Sequence, residues 1–244
     1  MSGTVAAMVQ ICEEDARWAS QFMEEVTRLD IPFAMHFDRC SDGLKDRIRR
    51  HPLCVGSVTQ DDPSLEFTER HKQAVFDLLS TQQRWQWLLQ WDIDEIWERD
   101  APEKIAKLAK RKEEDNLLVQ WVNCWGDRAH IRVDTVFAAA PRLKFYNVGG
   151  NRRWWFDHAI TYGCKLNDDK TGMRSKESVK SAHSGIVCLH TGLMTRELRE
   201  HHKTRWDRIY SAAVGANPYH FWEYCLMEDE YPPTVIPNPH RSDF

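Results

Sequence analysis

The chain has 244 residues, of which 42% are hydrophobic and 29% charged, and its formal net charge is −4. That balance describes a soluble globular protein large enough to bury a substantial core, and the charge selects no class of partner. No stretch approaches the ~20 apolar residues of a membrane-spanning helix, and the N-terminus has no basic region followed by an apolar one, so no signal peptide is expected.

Seven cysteines occur without a single C-x-x-C pair. An odd number at wide spacings fits small core residues of a reduced, cytoplasmic protein better than a disulfide framework or a zinc site.

In chain order, Thr4 to Ile11 is short, apolar and uncharged, which predicts a buried first strand. Glu13 to Leu29 carries Ala16, Ala19, Phe22, Met23 and Val26 at helical spacing. Ile31 to Phe37 reads as a second strand, ending in the turn-rich loop Asp38-Arg39-Cys40-Ser41-Asp42-Gly43. A short helix over Leu44 to Arg50, a third strand over Cys54 to Val58 and a helix over Leu65 to Leu79 follow. The next stretch, Trp85 to Trp97, is an apolar run that ends abruptly in Asp92, Asp94 and Glu95.

This β-α-β-α-β-α-β rhythm predicts an α/β fold, with a mostly parallel sheet flanked by helices. Pro102 marks the start of another helix. Leu117 to Trp125 and Ala129 to Val136 read as a strand pair turning at Gly126-Asp127. Arg142 to Lys180 reads as loop-rich, Gly185 to Leu189 as a strand ending at His190, and Thr195 to Tyr210 as a helix capped by Thr195. From Tyr231 the proline-rich tail reads as irregular.

Ligands of open α/β sheets sit at the carboxyl ends of the strands. Two Asp one residue apart at such an end can face one divalent cation, or divide between a cation and a sugar hydroxyl. A solvated acidic turn would carry the same letters.

The ordered set of stretches resembles a family 2 type glycosyltransferase with the GT-A fold, in the nucleotide-diphospho-sugar transferase superfamily. Asp38 to Gly43 resembles the family's D-x-x-S-x-D-G loop. Phe67 to Glu95 resembles its F-x-x-x-R-N stretch followed by a strand and D-x-D-E, with His71 where Asn is common. His190-Thr191-Gly192, followed by Lys203 and Arg205, is similar to its late H-x-G and K-x-x-R segment. The Asn that usually precedes the family's first Glu is missing before Glu13.

The resemblance implies a single Rossmann-like GT-A domain over 1–244, with 1–100 binding the nucleotide sugar and 101–244 the acceptor. It implies a Mn²⁺ or Mg²⁺ ion held by Asp94, Asp92 and His190, with His183 as the alternative nitrogen ligand. It implies a UDP-sugar donor contacted by Asp38, Asp42, Arg70, Asp92, Lys203 and Arg205. The family's usual catalytic Glu falls at Ala159, so Asp157 becomes the candidate base; Glu95 is a second acid at the site and Glu223 a further one.

The acceptor is read from charge. Between Arg142 and Lys180 nine Lys and Arg stand against four Asp and Glu, interleaved with Trp154, Trp155 and Phe156. Arg152, Arg153, Trp154 and Trp155 are therefore the candidate acceptor contacts. Sugar rings pack on flat aromatic faces, and polyanions bind where Lys and Arg meet aromatics. The acceptor expected is a glycan or lipid-linked saccharide, with DNA carrying hydroxylated bases as the alternative. A non-catalytic nucleotide-sugar binder is the reading of another class. A nucleotidyltransferase is disfavoured, because Glu13, Glu14 and Asp15 would repel a triphosphate after strand one. The sequence fixes no oligomeric state.

Overall fold

In a computed structural model of the chain, residues 5–61, 68–82, 85–108, 110–134, 141–156, 164–168, 172–174, 179–214, 225–226, 228–230 and 232–244 are described. In chain order these form β1 (Val5–Cys12), a 3₁₀ turn, α1 (Ala19–Leu29), β2 (Phe33–Asp38), α2 (Asp42–Arg49), β3 (Cys54–Gln60) and α3 (Thr68–Ser80). Next come β4 (Trp87–Asp92), β5 (Glu95–Trp97), α4 (Ala101–Leu108), β6 (Asn116–Trp125), β7 (Asp127–Arg132) and β8 (Pro141–Asn147). The remainder is β9 (Arg153–Phe156), β10 (Cys164–Asp168), β11 (Gly172–Arg174), β12 (Ser181–His190), α5 (Arg196–Val214) and β13 (Val235–Pro237). The chain divides into two compact units: residues 1–93, 101–118 and 143–184, and residues 94–100, 119–142 and 185–244.

The first unit is built on a parallel sheet. β1 lies between β2 and β4, and β3 pairs the far side of β2, all parallel; β8 adds antiparallel to β4. Side chains alternate between faces along a strand, and the registers Gln10↔His36, Gln10↔Asp92 and Cys12↔Asp38 align the even-numbered positions. The odd face is apolar throughout: Val5, Val9 and Ile11, Phe33, Met35 and Phe37, and Trp87, Leu89 and Trp91 are all buried. Phe22 of α1 meets it edge-on, with ring centres 5.1 Å from Phe33 and 5.3 Å from Trp91.

The even face changes character along its length. Ala6, Met8, Ala34 and Leu88 pack under Val75, Phe76 and Leu79 of α3. Toward the carboxyl ends the same face turns polar, with Gln10, His36, Asp38, Gln90 and Asp92. That change is what makes one end of a hydrophobic sheet able to meet a polar ligand.

The stretch expected to be loop-rich carries strands instead. β8 joins the sheet beside β4, and β9, β10 and β11 form a separate antiparallel sheet. Trp154 of β9 is 1% exposed and belongs to the α3 core cluster.

In the second unit β6 and β7 form a hairpin through Gly126, whose φ of 78° is the left-handed conformation that glycine tolerates without strain. β13 pairs antiparallel with β7, so the tail expected to be irregular contributes a strand. β5 pairs antiparallel with β12, opposing Glu95 to His190 and Ile96 to Leu189. Ile96, Val122, Cys124, Ile131, Val187 and Leu189 form the core. Thr195 caps α5 as expected, its hydroxyl accepting from the Leu198 amide at 3.3 Å. Arg199 then ties the first turn back to the Leu193 and Met194 carbonyls.

The described cysteines, Cys12, Cys40, Cys54, Cys124, Cys188 and Cys225, are free thiols. Among the described residues no helix is long and apolar enough to cross a membrane.

Candidate functional site

The β5–β12 register explains the centre of the second unit. It opposes His190 to Glu95, which brings His190 beside the preceding Asp94. Asp94 is buried, and its Oδ2 lies 3.1 Å from His190 Nε2 and 3.6 Å from His202 Nε2 of α5. Its backbone carbonyl is held twice, by the Thr191 amide at 3.1 Å and the Thr191 hydroxyl at 2.7 Å. Burial alone would raise the Asp94 carboxyl. The neighbouring His190 and His202 imidazoles overcome that and hold it well below the usual carboxylate range.

His190 is itself oriented. Nδ1 pairs with Asn123 Oδ1 at 3.0 Å, and the ring stacks on Trp121 with centroids 4.4 Å apart. An amide oxygen accepts, so Nδ1 carries the proton and a neutral His190 presents a bare lone pair at Nε2. That lone pair faces a carboxylate oxygen. Two acceptors 3.1 Å apart require a proton or a cation to share. Asp94 and His190 are thus two residues that could hold a divalent ion, or share a proton between them.

Gly192 belongs to the same construction. A Cβ there would lie 2.0 Å from Asp94 Oδ2 and 2.8 Å from His202 Nε2. The glycine of His190-Thr191-Gly192 is thus a space requirement rather than a turn requirement.

Glu95 is 0% exposed and accepts from the Trp121 indole N–H at 2.8 Å. As placed, this second acid of the site is engaged with Trp121, which stacks on His190.

In the first unit, Asp92 ends β4 with its side chain 49% exposed and pairs with Lys144 of β8 at 2.7 Å. Lys144 is buried, so its ammonium depends on this carboxylate. Asp38 ends β2, and both its oxygens accept from Arg39, at 3.0 and 3.1 Å. Arg39 has a φ of 51°, a left-handed conformation for a non-glycine residue. The next loop residues are pinned by Glu13, which accepts from the Ser41 amide at 2.6 Å and hydroxyl at 3.2 Å, while Ser41 caps α2. Asp42 is exposed on the first turn of α2.

Beneath these polar ends lies a buried pair not foreseen from the sequence. His36 and His71 stack with ring centres 4.0 Å apart, and Gln10 Nε2 meets His71 Nδ1 at 2.6 Å. Burial first, and then His71, pull the His36 imidazole down to about 4; Asp38 opposes them.

The other expected residues divide. Trp154, expected as an acceptor contact, is placed in the core, with its indole N–H donating to the Asn147 carbonyl at 2.9 Å. Arg152 braces the fold through Asp115 at 3.2 Å and the Gly149 carbonyl at 3.1 Å. Lys203 pairs with Asp207 one turn along α5, and both are partly exposed. His183 lies in the first unit, where its carbonyl accepts from Arg111. Asp157 and Glu223 lie outside the described residues, as do the side chains of Arg70, Arg153, Trp155 and Arg205. Sequence reasoning missed His202, Trp121 and Asn123. The i, i+2 spacing of Trp121 and Asn123 on β6 was the available signal for the last two.

No protein-family model and no curated protein matches the sequence. Among solved structures the chain is similar to S. aureus TarS 1–349, at 12% identity and a TM-score of 0.48, over 92% of this chain and 70% of that one. The same TarS segment in complex with UDP gives 10% identity and a TM-score of 0.44, over 98% and 72%. A further S. aureus TarS structure gives 11% identity and a TM-score of 0.40, over 59% and 28%.

Proposed function

We propose that the chain is a divalent-cation-dependent glycosyltransferase that moves a sugar from a UDP-sugar to a hydroxyl of a glycan or lipid-linked saccharide. The observation that carries this is the facing of Asp94 Oδ2 and His190 Nε2 at the D-x-D end of an apolar strand. The ordered motifs of the sequence support the same reading.

Asp94 and His190 hold the cation, which neutralises the departing diphosphate. Thr191 fixes the Asp94 main chain, Asn123 fixes the tautomer of His190, and Trp121 fixes its ring plane. Asp38, with Asp42 beyond it, lies where β2 ends, and Asp92 where β4 ends; these serve the nucleoside and ribose. Arg70, Lys203 and Arg205 serve the diphosphate, and Asp157 accepts the proton of the acceptor hydroxyl. Arg153 and Trp155 stay on the acceptor side.

A saccharide acceptor is favoured over DNA by the burial of Lys144 and Trp154 and by the pairing of Arg152. These take three members of the basic, aromatic segment out of polyanion recognition. The test is a donor-by-acceptor screen with Mn²⁺ or Mg²⁺, using UDP-glucose and other UDP-sugars against saccharides and hydroxymethylated duplex DNA. Transfer to saccharide that is lost with EDTA and in Asp94→Asn is the expected result. Turnover surviving both treatments would refute the cation role, and UDP-sugar binding without turnover on any acceptor would refute the enzyme.

A further inference from the structure

We infer that His202 is a third protein ligand of the cation at Asp94, so that the centre is nitrogen-rich and takes a first-row transition ion in preference to Mg²⁺. The inference rests on the reading of Asp94 and His190 as cation ligands and adds a residue from another element.

Asp94 Oδ2 faces two imidazole nitrogens, not one. His202 Nε2 is buried and stands 3.6 Å from it. That exceeds a hydrogen bond. It is close to the edge of a coordination polyhedron, in which ligands ~2.1 Å from an ion stand about 3.0 Å apart at right angles and about 3.4 Å apart at tetrahedral angles. The 3.1 Å edge to His190 fits the same description. Gly192 keeps side-chain atoms out of the place where these groups converge, since its Cβ would strike both Asp94 and His202.

The helix carrying His202 is fixed at its start. Thr195 caps it, and Arg199, three residues before His202, is anchored to two carbonyls and to Glu228. The ring centres of His190 and His202 are 6.4 Å apart. Among the described residues no three His, Cys, Asp or Glu side chains are so placed that they could already hold a metal ion together. To serve as the third ligand His202 would have to turn its ring in toward Asp94 and His190, its helix staying in place.

The chemical consequence follows from the donors. Mg²⁺ demands oxygen ligands and sheds water reluctantly, whereas imidazole suits the transition ions. One carboxylate oxygen and two imidazole nitrogens penalise Mg²⁺.

The probe is Mn²⁺, titrated into the full chain with and without UDP and followed by electron paramagnetic resonance, with spin-echo modulation reporting directly bound ¹⁴N. Modulation from two imidazole nitrogens is expected in the wild type and from one in His202→Ala. Affinity should fall roughly tenfold or more in the variant, and a large excess of Mg²⁺ should fail to displace Mn²⁺ from the wild type. His202→Gln gives the same comparison should the alanine variant not fold. A single nitrogen in both wild type and variant, or an unchanged affinity, would overturn the role of His202 and leave Asp94 and His190 standing. Binding that survives Asp94→Asn, or bound Mn²⁺ with no nitrogen modulation, would overturn this inference together with the reading beneath it.

Discussion

Substituting Gly192 with Ala tests the centre with a single methyl group. The new Cβ would sit 2.0 Å from Asp94 Oδ2, whereas contacts under 3.0 Å essentially never occur, so the carboxylate must move by about 1 Å. The main chain cannot easily retreat, because Thr191 clamps the Asp94 carbonyl with two hydrogen bonds, at 3.1 and 2.7 Å. Overpacking of this kind costs about 1–3 kcal/mol of stability. Displacing a ligand by about 1 Å should weaken Mn²⁺ binding by roughly 100-fold, about 2.7 kcal/mol. Calorimetric titration with Mn²⁺, alongside thermal unfolding, reads the two effects separately. Gly149→Ala is the control. Its Cβ would meet the Gln86 amide at 2.4 Å in the first unit. That amide ends a flexible side chain, so the change should cost about 1 kcal/mol and leave Mn²⁺ binding intact. Wild-type Mn²⁺ affinity in folded Gly192→Ala would refute the placement of Asp94 and with it the space argument for the glycine.

Glu95→Gln keeps an acceptor for the Trp121 indole and should retain transfer activity within about tenfold; a loss of roughly 10³-fold or more would restore Glu95 as a reacting acid. Trp154→Ala should lower stability by about 3–5 kcal/mol in denaturant titrations, with the saccharide KM of the surviving folded protein unchanged. Asp92→Asn leaves the buried Lys144 without its carboxylate and should cost about 1–3 kcal/mol, whereas Mn²⁺ affinity should hold. His36 adds a pH dependence whose sign is fixed by its depressed value of about 4. Its stabilising neutral form is fully present above pH ~6.5, and stability falls as the pH drops from there toward ~4, by about 3 kcal/mol in all. His36→Phe should flatten that slope in unfolding measured across the window; an unchanged slope would place the titration elsewhere.

The parallel sheet was legible because β1, β2 and β4 are short, nearly continuous apolar runs, and helices alternate with them along the chain. His190 was legible because a strand ended on it and a glycine followed. What escaped depended on distant partners. Lys144 interrupts the apolar pattern of β8, and the carboxylate that receives it, Asp92, stands 52 residues earlier. β13 pairs with β7 roughly a hundred residues before it, so a proline-rich tail gave no sign of a strand. Trp154 stands among arginines and reads as a surface aromatic, yet its indole finds the Asn147 carbonyl inside the core. His202 lies in a highly charged helix where a histidine carries no periodic signal. Its meaning comes from Asp94, more than a hundred residues earlier.

The two aspartates of the motif meet different partners, and that difference in chemistry, rather than their spacing, underlies the proposed assignment of the cation. Asp92 faces an ammonium ion fixed to the chain. Such a pair balances one charge with another inside the chain. Asp94 faces two imidazoles, which meet a carboxylate by sharing a proton or an ion with it. A buried carboxylate needs compensation, and only the second arrangement lets that compensation come and go with the donor. The Asn123 hydrogen bond fixes the His190 ring with Nε2 turned toward Asp94, where a shared proton or an ion would sit. A lysine in place of His190 would satisfy Asp94 equally well and would close the centre to a cation.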